Sequence, residues 1–137
     1  MKGNYKLKSN FLQILIAIFN KNKKDDLVTI PLMKTIEILL QSDYLSEPEL
    51  SKDLLEIHAL CVQECNKSKV IVKLMASIGV FSNMLTTKDP ELCIKALRSL
   101  LFLLYNAFPK VRKLAAEKLY TSLLILEDYS LLVSSEE

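Results

Sequence analysis

The chain repeats itself at an interval of 39 residues, and no other feature restricts its possible folds as much. Pro109, Val111, Arg112 and Leu114 shift back onto Val70, Val72, Lys73 and Met75, and again onto Pro31, Met33, Lys34 and Ile36. Apolar positions stay apolar and the cation stays a cation. Ser68 and Thr29 share one phase just upstream, where a side-chain oxygen can cap a helix, although Ala107 breaks that series. The last copy is the clearest. Pro109 suits the first turn of a helix, where an amide proton would have no partner. From there Val111, Leu114, Ala115, Leu119, Leu123 and Leu126 form one stripe at three-to-four spacing, with Lys110, Lys113, Glu117 and Thr121 opposite.

A period of about 40 residues with two helices per unit belongs to HEAT and armadillo arrays, whose units each leave an apolar face bare until a neighbour covers it. The expected fold is therefore all-α, an α-α superhelix of about six helices in three hairpins. It should occupy residues 9–129, between a frayed segment at 1–8 and a polar tail at 130–137. Composition agrees: of 137 residues half are apolar, two are Gly and none is Trp.

Along the chain, Ser9 is placed to cap a first helix with Phe11, Leu12, Leu15, Ile16 and Phe19 on one face, widened by Ile14 and Ile18. Thr29-Ile30-Pro31 reads as the start of the second, ending near Ser42-Asp43. Ser46 and Glu49 have capping-box spacing around Pro48 and open the third, which carries Leu50, Leu54, Ile57, Cys61 and Cys65 inward. Ser68 caps a fourth with Ile71, Leu74, Met75, Ile78, Phe81 and Leu85 inward. Gly79 inside it costs about 1 kcal/mol relative to Ala and suggests a close helix contact. Asp89-Pro90-Glu91 starts the fifth, whose end from Leu97 to Tyr105 is apolar nearly all round. That helix is expected to be the most buried.

The net charge of +2 is spread among both signs, which points away from a nucleic-acid partner. The apolar run from Phe11 to Phe19 is too short for a membrane span. Three cysteines without disulfide-domain spacing, and no apparent signal segment, suggest reduced intracellular thiols. His58, Cys61 and Cys65 lie on one side of the third helix, a thin likeness to zinc chemistry. The fourth ligand is missing, Cys93 being the one other cysteine, so packing is the favoured reading. Met33, Met75 and Met84 are likewise read as core. No nucleophile-base set or phosphate loop is evident, so no catalytic, cofactor-binding or metal residues are expected. Lys34, Lys73 and Arg112 recur once per repeat. They form either a ladder facing an acidic protein partner or internal ties to carboxylates and carbonyls, and the second reading is favoured.

Three segments carry a specific likeness. Val28 to Thr35, Asn66 to Lys69 leading into Lys73 to Phe81, and Phe108 to Lys113 with Leu119 to Leu124 resemble, in that order, the C-terminal region of the tubulin-folding cofactor D family. The likeness extends from about Phe11 to Tyr129. It implies a cytoplasmic, microtubule-associated chaperone of helical repeats that captures β-tubulin and assembles or disassembles the αβ heterodimer. The implied partners are cofactors C and E and an Arf-like small GTPase. Family complexes stimulate tubulin's GTP hydrolysis, a property of the assembly that gives Arg112 no arginine-finger role. Family members are far longer, so the chain reads as a terminal fragment or truncated relative. The other readings are a HEAT or armadillo adaptor unrelated to tubulin and an enzyme accessory subunit folded as a closed bundle.

Overall fold

In a computed structural model the described backbone covers residues 4–135, with side chains described for 5–127. Among these residues there are six α-helices and no strand: α1 (Asn4–Lys21), α2 (Asp26–Gln41), α3 (Ser51–Cys65), α4 (Ile71–Leu85), α5 (Pro90–Leu103) and α6 (Pro109–Ser135). A single 3-10 turn, Pro48–Leu50, leads into α3. Helices α1, α3 and α5 pack in sequence as one layer, and α2, α4 and α6 as a second. Each hairpin, α1 with α2, α3 with α4, and α5 with α6, bridges the two layers. This is the α-α superhelix that the period predicts.

The interval is visible in the bonds themselves. Lys8 reaches Glu47, Gln13 reaches Asp53, the Lys24 amide reaches Glu64, His58 meets Ser99 and Ser122 donates to the Ser82 carbonyl, each partner 39 to 41 residues away. A separation of one repeat is what adjacent stacked units require. The predicted faces are largely the buried ones. Leu12, Leu15, Ile16 and Phe19 of α1, Leu50, Leu54, Ile57 and Cys61 at α3, and Val111 and Ala115 of α6 all join a single core.

The helix starts differ from expectation where two cues competed. Helix α2 begins at Asp26, capped by Asp25, whose carboxylate accepts from the Leu27 amide at 3.3 Å. Thr29 is therefore inside the helix and fully buried, and Pro31 lies within it. The aspartate supplies an acceptor to an unpaired amide, which outweighs the backbone bond that Pro31 cannot make. Helix α1 begins before Ser9, whose hydroxyl instead donates to Asp53 at 2.8 Å. No capping box forms between Ser46 and Glu49, because the chain enters α3 through the 3-10 turn, where Glu47 takes the N-cap position without a side-chain bond and turns its carboxylate to Lys8 instead. Ser68 accepts from the Val70 amide at 3.2 Å, shaping the turn before α4 and not capping it. By contrast, Asp89 caps α5 over Pro90, and Pro109 opens α6, as expected. Helix α6 continues to Ser135, past the predicted end near Tyr129. Of the segments expected to be frayed or loose, residues 1–3 and 136–137 lie outside those described.

The most buried helix is α4, not α5. From Lys73 to Leu85 nearly every position of α4 is buried, whereas α5 buries Leu92, Ala96, Leu100 and Leu103 alone. Helix α4 is the middle member of its layer and contacts α2, α3, α5 and α6; α5 ends its layer. An apolar circumference needs neighbours on every side, and only the middle position provides them.

Candidate interaction surfaces

The two edges of the stack differ in charge. One edge collects the three loops inside hairpins, residues 22–25, 66–70 and 104–108, with five helical residues on either side. It carries Lys21, Lys23 and Lys24 at the first loop, Lys67, Lys69 and Lys73 at the second, and Lys110, Arg112 and Lys113 at the third. Those are nine of the chain's 18 cations, against three of its 16 acids, Asp25, Asp26 and Glu64. The opposite edge, counted in the same way around residues 42–50 and 86–89, has seven acids and two lysines, to which α1 adds Lys8 through its bond to Glu47.

On the basic edge Lys73 is buried, 3% exposed, and its ammonium meets Asp26 of the preceding repeat at 2.7 Å and Glu64 of α3 at 3.3 Å. Burial alone would lower the pKa of this lysine. The Asp26 hydrogen bond and the Glu64 charge outweigh that and raise it. Glu64, also buried, accepts in addition from the Lys24 amide at 2.9 and 3.2 Å. The Lys24 ammonium donates to the carbonyls of Gln63, Glu64 and Asn66, completing the C-terminal end of α3. Arg112 is exposed and donates to the Asn106 and Ala107 carbonyls of its own loop at 2.9 and 3.2 Å. Lys34 is exposed on the middle of α2 and makes no ion pair among the described residues. The three register-equivalent cations thus have three different settings. Between the first two loops runs an open groove of about 600 Å³, lined by Lys24, Asp26, Gln63, Lys67, Lys69 and Lys73 among others.

On the opposite edge Lys8 bonds Glu47 at 2.5 Å and lies 4.4 Å from the centre of the Tyr44 ring. The Lys8 hydrogen bond holds the Glu47 carboxyl below the usual carboxylate range. A cleft of about 570 Å³ opens between the α2–α3 and α4–α5 connections and contains the Ser51–Asp89 hydrogen bond.

His58 belongs to the core between α3 and α5. Its Nε2 is 2.9 Å from Ser99 Oγ and its ring centroid is 5.2 Å from that of Phe81. Burial lowers its pKa, and burial raises the thiol pKa values of Cys61 and Cys65. Among the described residues no three His, Cys, Asp or Glu side chains converge as a metal site would require.

A third surface is apolar. On the outer side of the last hairpin Phe102, Tyr105 and Tyr120 are 77%, 89% and 67% exposed, with Ile94, Leu101, Leu123, Leu124 and Ile125 also exposed. One repeat earlier, Tyr120, Leu123 and Leu124 correspond to Phe81, Met84 and Leu85, all fully buried. Leu123, expected on the inward stripe, is exposed, and Ser122 takes the inward place against α4. Glu64, Asp53 and Glu47 are buried or half-buried carboxylates that no local pattern singles out, although polar pairs one repeat apart are the signal that marks them.

Stacked helical hairpins in two layers define an all-α helical-repeat protein. The family model described as tubulin folding cofactor D C terminal matches residues 1–73, more than half of the chain. The chain belongs to that family. The match takes in the first hairpin, α3 and the start of α4. No solved structure matches the chain.

Proposed function

We propose that this chain works as a tubulin-folding cofactor segment, acting by binding and not by catalysis. Its substrate in this reading is β-tubulin, and its companions are cofactors C and E and an Arf-like small GTPase. The setting is the cytoplasm, in association with microtubules. The chain contributes to αβ-heterodimer assembly, and stimulation of tubulin GTP hydrolysis belongs to the assembled complex.

Family membership supports the tubulin reading, and one observation carries the binding mode. The α5–α6 face exposes at Tyr120, Leu123 and Leu124 the positions that the preceding repeat buries against its neighbour. Several large apolar side chains exposed on one helical pair are characteristic of sites that receive another protein. Purified tubulin, before and after dissociation of the heterodimer, is the direct test. The wild-type chain is expected to co-elute with β-tubulin, and Tyr120→Glu with Leu124→Glu to abolish co-elution while the helical circular dichroism is retained. Absence of β-tubulin from the wild-type peak would overturn the proposal. Equal capture by the double variant would remove this face from it.

A further inference from the structure

The three loops inside the hairpins hold cations that the fold does not use. Lys73 and Lys24 are committed internally, and Arg112 closes its own loop. Lys21, Lys23, Lys67, Lys69, Lys110 and Lys113 are exposed and form no ion pair among the described residues. Two of the three groups sit where local physics disfavours them. The first turns of α4 and α6 contain no acid, and Lys73, Lys110 and Arg112 lie at their positive ends, opposing the helix dipole. At α2 and α5 the first turns carry Asp26 and Glu91, the arrangement that a helix start prefers.

We propose that this edge, independently of whichever protein the apolar end receives, binds an extended acidic segment of a partner, a run of six to eight residues rich in Glu and Asp. Packed helices are roughly 8–10 Å apart, so three neighbouring loops span roughly 20 Å, and an extended chain covers that in about six residues at 3.3 Å each. The groove between the first two loops gives such a strand a seat beside Lys67 and Lys69. A short acidic peptide fits better than a nucleic-acid backbone, because the edge also holds Asp25, Asp26 and Glu64 and the whole chain carries a net charge of only +2. The opposite edge, with seven acids, repels the same ligand and so fixes which side it takes.

The test uses the full chain and a fluorescein-labelled octa-glutamate peptide, read by anisotropy. Binding is expected at low salt, weakening at least tenfold between 50 and 300 mM NaCl, since exposed charges are screened over about 10 Å at 0.1 M. Lys23→Glu with Lys67→Glu and Lys69→Glu is expected to weaken it at least tenfold. Lys52→Glu with Lys88→Glu and Lys118→Glu, equal in net charge, should change it less than twofold. Should the first triple variant lose its helical signal, the Gln versions at the same three positions replace it, with a threefold loss expected. Equal losses from both triple variants, no binding by the wild type, or tighter binding of octa-uridylate or of phosphatidylserine vesicles than of the acidic peptide would each overturn the proposal.

Discussion

Helices α4 and α6 are successive copies of one element and live under different physics. Phe81, Met84 and Leu85 in α4 are wholly buried; their counterparts Tyr120, Leu123 and Leu124 in α6 are exposed. Lys73 is sealed between two carboxylates, whereas Arg112 reaches carbonyls of the adjoining loop from the surface. Gly79 faces the Glu37 carboxylate of α2 so closely that a Cβ there would collide with it. The residue one repeat later is Lys118, exposed. Similar stripes therefore acquire different roles according to how many helices surround them. The middle copy holds the stack together, and the last copy offers what the middle one hides.

The largest expected contrast is at Phe81 and Tyr120. Phe81→Ala should cost about 3–5 kcal/mol and Tyr120→Ala within about 0.5 kcal/mol in urea unfolding, because only the first opens a cavity. Equal costs would break the comparison. Next comes Lys73→Met, expected to cost about 3 kcal/mol because Glu64 is left buried without its counter-charge, against less than about 1 kcal/mol for Arg112→Ala. The raised Lys73 pKa sets a pH window for that difference. The contribution is complete below the lysine's ordinary 10.5 and is lost as pH climbs through the higher folded value, so the two variants should converge in strong alkali.

A smaller effect belongs to His58. Burial depresses its pKa, so the unfolded chain takes up the proton first and stability falls as pH drops below the usual 6.5. Wild type should lose up to about 1 kcal/mol between pH 6.5 and 5.5, and His58→Asn should flatten that slope. If the slope persists in the variant, another group titrates there. Smallest is Gly79→Ala. The clash is with the end of a flexible glutamate, which can swing aside, so the gain in helix propensity should leave the variant about 0.5 kcal/mol more stable. Destabilisation beyond 1 kcal/mol in the same urea titration would show that Glu37 is held in place and that the α2–α4 approach is rigid.

The local reading succeeded where one signal acted alone and failed where two competed. Asp89 with Pro90, and Pro109, set their helix starts correctly. At α2 the aspartate cap prevailed over the proline, and at α3 a 3-10 turn took the place of the Ser46–Glu49 capping box, with the adjoining Glu47 bonded to Lys8, a residue 39 positions away. Glu64 escaped notice because nothing near it in sequence shows that a lysine and a backbone amide converge there. Its partners come from three places, the loop at Lys24, the start of α4 and, through Lys73, Asp26.

By itself the sequence determined the period, the all-α class, three hairpins and most inward faces, since helical stripes and caps are properties of a dozen neighbouring residues. Only the tertiary structure decided that α4 and not α5 is central, that Lys73 is an internal tie while Lys34 and Arg112 stay at the surface, and that charge is sorted to opposite edges. Those outcomes depend on which helices surround a position, and the number of neighbours is fixed by the order of stacking, not by any residue's own window of sequence.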